Sequence, residues 1–528
     1  MAKAFSYDLG VFDPTFPGIT LHFPNEATWK QVSSYTGLVF NAAASDMVQK
    51  DPKLSPSDLT TGQVLKHVSV DLNFNSPLEE ADKESLGRSL IDADPDEAVG
   101  YLAVTSSHIH ERRHFHDWIL SPYAAAISAM RVEVFMNYAQ LRGALRAGGT
   151  TAIPVPITRW MRKTPSEQKE LLEMWQALLG DAVVLRLPEL TDPDVLACIE
   201  GIERRYKSIG MLFEPVYGFD LDAASLFEAS ALLIQTQAIH DSLGETAHML
   251  FLNSMADQGP KSRYTWFIRA LSGLRRPDEI LEVDTLTALA TWCLLGSADS
   301  DLPNSNPLTR MFHVVKYVKE HGFPKVDTPS HAIFAEIEGA CGAVSYVDVL
   351  NRSVQLGDSI VEWLEKAVAE DHSGSNFAAG VAQAYTYLQQ CHKYMAGLFL
   401  NDPDGYAKPA GYLDRNLEKW PEPAVRYTFG QPFFRVKRAN LGKYQRSTLF
   451  ESESTAEEAV LRQYIDPFPE DLMQVRKICF DIQVADNWQY LCGLVDTMFA
   501  EYNRDQPEID YQRERARKDG LYLLEVLN

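Results

Sequence analysis

The sequence predicts a mainly α, multi-helical protein with a small N-terminal β element, an α+β class dominated by its helices. Apolar residues recur at helical spacing through long stretches after Glu97, whereas period-two alternation is confined to short segments near the N-terminus. Gly and Pro punctuate the helical stretches at their ends, where a chain leaves helical geometry.

The alternating segments are residues 19–23 and 67–74, which read as half-buried strands on either side of a helix over 26–47. Residues 75–96 are polar and acidic and contain proline, as expected of a surface connection with one short helix. A long helix is predicted over 97–120, ended by Ser121-Pro122 because proline disfavours helical geometry at the residue before it. A second spans 123–147 and stops at Gly148-Gly149. Pro154, Pro156 and Pro165 mark an irregular stretch, followed by helices over 166–179 and 192–208 with a short strand at 182–187. Residues 221–253 form another long helix, broken near Gly244. Helices over 284–295, 308–321, 346–370 and 376–400 follow, and residues 401–434, rich in Pro, Gly and aromatics, read as a long ordered loop. Four parts result: a mixed α/β region (1–96), a helical metal-binding core (97–260), a helical region (261–434) and a C-terminal helical region (435–528).

The bulk properties exclude several functions. A chain of 528 residues with 45% hydrophobic and 11% aromatic residues can bury a large core. Its net charge of −23 argues against a nucleic-acid surface, which needs clustered Lys and Arg to neutralise phosphates. The basic runs are short, Arg275-Arg276 and residues 513–518, and read as solvated helix ends. Six scattered cysteines without CxxC spacing fit reduced thiols in a cytoplasmic protein. The N-terminus has no basic region followed by an apolar run, and the most apolar stretch, 286–298, is too short to span a membrane. The expected location is therefore cytoplasmic, without membrane attachment.

Chemistry is concentrated at residues 110–114, which read His-Glu-Arg-Arg-His. Histidines four apart on a helix share one face, so His110 and His114 can hold one metal ion, Zn2+ above all. Glu111 between them is the candidate general base, accepting a proton from water acidified by the metal. Arg112 and Arg113 read as a solvated face.

This HExxH pattern resembles that of the zinc metallopeptidases known as zincins. The resemblance implies a zincin-like catalytic core acting on a peptide or protein substrate. The metzincin branch continues HExxHxxGxxH, but Asp117 stands here at the glycine and Leu120 at the third histidine, so that branch is excluded. The gluzincin branch takes a glutamate from a later helix, and the best match is Glu228 in Phe227-Glu228-Ala229-Ser230-Ala231. A carboxylate opening an otherwise apolar helix needs a partner, which a metal ion supplies. His110, His114 and Glu228 would leave a fourth position open, the catalytic arrangement.

Other residues are expected in support. Asp117, three residues past His114, is placed to accept the free ring N–H of a ligand histidine. Gln235 shares a face with Glu228, and His240 stands a third of a turn away, so both are candidates for contact with substrate or with the ligands. Tyr123, after the Ser-Pro stop, is assigned by analogy to polarising a substrate carbonyl.

Two other functions use the same residues. Glu111-x-x-His114 and Glu245-x-x-His248 have the spacing with which helical bundles hold two irons, as in carboxylate-bridged oxidases and oxygenases. In a non-enzymatic helical interaction protein the histidines would be incidental. No GxGxxG after a strand, no GxxxxGK[ST] and no GxSxG is present.

Overall fold

A computed structural model describes residues 10–13, 18–23, 80–93, 95–150, 152–155, 157–179, 186–187, 192–212, 222–256, 262–277, 279, 281–298, 306–325, 327–369, 376–414, 424–429 and 522–525. The multi-helical architecture is present. After strands β1 (Gly10–Asp13) and β2 (Gly18–Phe23) come helices α1 (Glu80–Ala93), α2 (Pro95–Leu120) and α3 (Pro122–Ala147). Strand β3 (Ala152–Val155) precedes α4 (Ile157–Met161), α5 (Pro165–Leu179), α6 (Pro193–Leu212) and α7 (Ala223–Ala256). Then follow α8 (Trp266–Ser272), α9 (Val283–Leu294), α10 (Pro307–His321), α11 (Ser330–Cys341), α12 (Tyr346–Ala369) and α13 (Asn376–Asn401). Two short helices, α14 (Pro403–Ala407) and α15 (Pro409–Asp414), and strands β4 (Ala424–Phe429) and β5 (Tyr522–Glu525) complete the described elements.

Helix α2 is the axis of the fold. It packs against α7 above all, and also against α1, α3, α13 and strands β1 and β2. From Ile109 to Leu120 every residue is buried, so the helix is covered on all sides over its second half. Its end is fixed locally. Pro122 starts α3, and Ser121 both donates its hydroxyl to the Leu294 carbonyl (2.6 Å) and accepts from the Ala124 amide. Helix α7 begins on a side-chain cap: Asp222 Oδ1 accepts from both the amide and the hydroxyl of Ser225, at 3.0 Å each. That cap sets where Glu228 falls.

The expected break in α7 is at Gly244, whose φ of 80° lies in the left-handed region that favours glycine. Helix α1 fits into the break. Gly87 lies so close to the Leu243 carbonyl that a Cβ there would collide with it, and Glu84 accepts from the amide and hydroxyl of Thr246, capping the restarted helix.

Several expectations are corrected. The sheet is not an N-terminal unit: β2 pairs antiparallel with β1 and parallel with β4, some 400 residues downstream, with Ile19 opposite Val425. The expected loop over 401–434 contains α14, α15 and β4. Helices α8 and α11 were not predicted; α8, at seven residues, has too few turns to show a clear period. One apolar cluster runs from Ile19 through α2, α3, α7, α9 and α13 to Leu413, across the expected boundary at 260/261. A small satellite of Trp160, Leu171 and Trp175 joins α4 to α5. The predicted helix over 26–47 and strand over 67–74, with nearly all of 435–528, lie outside the described residues. No single helix among the described residues is long and apolar enough to cross a membrane; the apolar stretch beginning at 286 is the buried α9.

Candidate metal centre

The packing of α2 on α7 brings two stripes of polar residues together. On α2, Ser106, His110 and His114 follow at intervals of four and share a face. On α7, Glu228 and Gln235 are seven apart and share another. The helices run antiparallel, since the higher α2 numbers meet Glu228 and the lower ones meet Gln235.

Three ligand atoms converge. His110 Nε2 and His114 Nε2 lie 3.0 Å apart, and Glu228 Oε2 lies 3.2 Å from the first and 3.1 Å from the second. Among the described residues this is the one group of His, Cys, Asp or Glu close enough together to hold a metal ion. Zinc ligands about 2.0–2.1 Å from the ion at tetrahedral angles stand roughly 3.4 Å apart, so the triangle is slightly tighter than a filled coordination sphere. Its composition, two imidazoles and one carboxylate, is that of zinc sites with one position left for water.

The hydrogen bonds behind the triad bear on its chemistry. His110 Nδ1 lies 3.0 Å from Gln235 Oε1, the Gln235 amide donates to Ser106 Oγ (2.8 Å), and Ser106 donates to the Leu102 carbonyl. With Nδ1 protonated, a neutral His110 presents a bare Nε2 to a carboxylate oxygen, and two lone-pair sites face each other. A metal ion bound between the groups would accept both lone pairs. Burial alone would raise the pKa of Glu228, but the His114 and His110 imidazoles outweigh it and hold the carboxyl well below the usual range.

Access is one-sided. The histidine side chains are 7% and 8% exposed and that of Glu228 is 26% exposed, so the centre opens toward the glutamate. Aromatic rings flank it: Phe12 of β1 stacks on His114 (centroids 6.1 Å apart), and the half-buried Tyr264 lies 5.7 Å from the His110 ring. Glu111 is buried on α2, about 100° around the helix from His110.

Of the predicted residues, His110, His114, Glu228 and Gln235 come together; Asp117 and His240 pair elsewhere, and Tyr123 is buried. Asp117 does not serve a ligand histidine. Its Oδ1 lies 3.0 Å from Arg113 Nε and accepts from the Tyr406 hydroxyl at 2.6 Å. Arg113 stands one turn earlier and claims the carboxylate, while His110 already has its partner from α7. His240 is twelve residues beyond Glu228, about 18 Å along the helix, and contacts Asp241 and Glu245 at 3.2 and 3.4 Å. Tyr123 is 2% exposed, inside the core near Asp222, which removes it from any open cleft. Glu245 and His248 do contact each other (3.3 Å), but they lie beyond the Gly244 break, which is itself about 24 Å along α7 from Glu228. A two-iron centre needs its two pairs within a few ångströms, so the second Glu-x-x-His does not complete one.

The expected solvated face is also corrected. Arg112 and Arg113 are 4% and 0% exposed. Arg113 donates to Ser230 Oγ (3.1 Å), the Tyr406 carbonyl (3.0 Å) and Thr291 Oγ1 (3.1 Å), and it lies over the Tyr406 and Tyr412 rings. It thus fastens α2 to α7 two residues from Glu228. Neither Tyr264 nor Phe12 had a signal in the sequence, since one lies between helices and the other on a four-residue strand. Ser106 had one, its four-residue spacing from His110.

No protein-family model matches the chain, no curated protein matches it, and no solved structure matches its fold.

Proposed function

We propose that the chain is a metal-dependent hydrolase, a zinc peptidase in type, in which His110, His114 and Glu228 hold one ion and Glu111 acts as general base on a peptide or other amide bond. The observation that carries this reading is the convergence of three ligand atoms, two from an HExxH helix and one from the helix packed against it. Zinc held by three protein ligands supplies Lewis acidity and brings the ionisation of water at the centre to about pH 7. Glu111, next to His110 on a helix that Arg113 keeps from rotating, takes the proton of the attacking water and returns it to the departing amine. Tyr264, beside His110 and partly exposed, takes the carbonyl-polarising role first assigned to Tyr123. The opening on the side of Glu228 is the route for substrate, and the flanking Phe12 and Tyr264 favour an aromatic or apolar side chain beside the cleaved bond.

The test is metal analysis of the purified full chain, with turnover of a quenched-fluorescence peptide library, on wild type, His110→Ala and Glu111→Gln. One zinc per wild-type chain is expected, with zinc lost in His110→Ala and retained in Glu111→Gln without activity. Loss of metal in Glu111→Gln, two irons per chain, or no metal in the wild type would each overturn the proposal.

A further inference from the structure

We infer that Gln235 and Ser106 form a tautomer lock on His110, a chain of hydrogen bonds that starts at a backbone carbonyl and ends by fixing which imidazole nitrogen is free for metal. Gln235 is then a positioning residue and does not contact substrate. The inference rests on the proposed metal centre for its purpose but not for its geometry.

The direction of each bond follows from the fixed end. The Leu102 carbonyl can only accept, so the Ser106 hydroxyl hydrogen points to it, one turn back along α2. The remaining lone pairs of Ser106 then face the Gln235 side chain at 2.8 Å, which places the amide nitrogen there. The carbonyl end of the amide is thereby turned to His110 Nδ1 at 3.0 Å, and a carbonyl oxygen also only accepts. Nδ1 therefore carries the hydrogen, and the neutral ring leaves Nε2 bare, 3.0 Å from His114 Nε2 and 3.2 Å from Glu228 Oε2. Every group in the chain is buried, so water does not compete for these bonds.

The identity of Gln235 adds a second consequence. Metal-binding histidines usually donate to a carboxylate, a backbone carbonyl or water, and a carboxylate increases the basicity of the ring. An amide orients the ring without adding charge. Gln235 therefore fixes His110 without adding a second carboxylate to the contacts that Glu228 makes with the two histidines. A negative charge at position 235 should hold the ion more tightly; an apolar side chain of the same size should release the tautomer.

The experiment compares wild type, Gln235→Leu, Gln235→Glu and Ser106→Ala as full-length chains, with zinc as the probe. Affinity is read by chelator competition. The His110 tautomer is read by nitrogen NMR of histidine-labelled, metal-free protein, its signal assigned by its loss in His110→Asn. Wild type should show hydrogen on Nδ1 and a bare Nε2. Gln235→Leu should populate both tautomers and bind zinc about 10–100-fold more weakly. Gln235→Glu should recover wild-type affinity or exceed it, and Ser106→Ala should fall between wild type and Gln235→Leu. An unchanged tautomer and affinity in Gln235→Leu would overturn the inference. If Gln235→Leu does not fold, the same result in Ser106→Ala, joined to weaker binding in Gln235→Glu, overturns it. Failure of the wild type to bind zinc defeats the hydrolase proposal alone, because the metal-free nitrogen signals still decide the lock.

Discussion

Replacing Arg113 by Met tests whether the two helices of the candidate metal centre are held by one buried cation. Arg113 is fully buried and bonds to α7 through Ser230, to α9 through Thr291, to α14 through the Tyr406 carbonyl and to Asp117 on its own helix. Met fills most of the volume but supplies no donor. Among the described residues, Asp117 would keep only the Tyr406 hydroxyl, and its other oxygen, Oδ2, is buried with no hydrogen-bond partner there even with Arg113 present. Removing one member of a buried ion pair costs about 3–5 kcal/mol, because the remaining charge is left without compensation. That is a large share of the roughly 5–15 kcal/mol by which folded proteins exceed their unfolded chains. Urea unfolding followed by tryptophan fluorescence reads the loss as a lower midpoint with an unchanged slope. Adding Asp117→Leu to Arg113→Met removes the orphaned charge and should recover at least about 1 kcal/mol of it. A loss below about 1 kcal/mol in Arg113→Met, or no recovery in the double variant, would refute the claim that Arg113 compensates the buried charge of Asp117.

Zinc at 100 times its dissociation constant should raise the stability of the wild-type chain by about 2.7 kcal/mol, and His114→Ala should abolish the effect in a thermal-shift titration. Wild-type melting that ignores zinc would contradict the proposal. His392 donates from Nδ1 to the Ile119 carbonyl (2.8 Å) and accepts the Ser353 hydroxyl at Nε2 (3.0 Å), so it is satisfied as the neutral ring, and burial lowers its pKa, with Asp358 opposing. The unfolded chain then takes up a proton that the folded one refuses, so stability should fall as pH drops below the unfolded value of about 6.5. His392→Gln should flatten urea midpoints measured between pH 7.5 and about 5.5, and a slope equal to that of wild type would count against this account. Gly87→Ala places a methyl group against the Leu243 carbonyl and should cost about 1–3 kcal/mol in the same assay, while Gly339→Ala, on α11 with open space around it, should stabilise by up to about 1 kcal/mol.

The helices and the centre differ in how far local sequence specified them. The limits of α2 and α3 were legible because Ser121-Pro122 acts on its own neighbours, and the break in α7 because Gly244 tolerates a backbone angle that other residues avoid. His110 with His114, and Glu228 with Gln235, were legible as pairs because a helix repeats every 3.6 residues whatever surrounds it. What the sequence could not supply was the context of charged residues. Arg112 and Arg113 satisfy every local rule for a solvated face, yet both are interior. The distant partners that make this tolerable for Arg113, namely Ser230, Thr291, Tyr406 and Tyr412, come from segments 117 residues or more away. The misreading of Asp117 has the same origin. Once Arg113 is seen as buried, a carboxylate one turn away becomes its counter-ion, and the outer partner of His110 must come from another helix. In a helix enclosed on all sides, polarity marks the positions where a distant residue has to arrive, and the stripe from Ser106 through His114 is where α7 arrives.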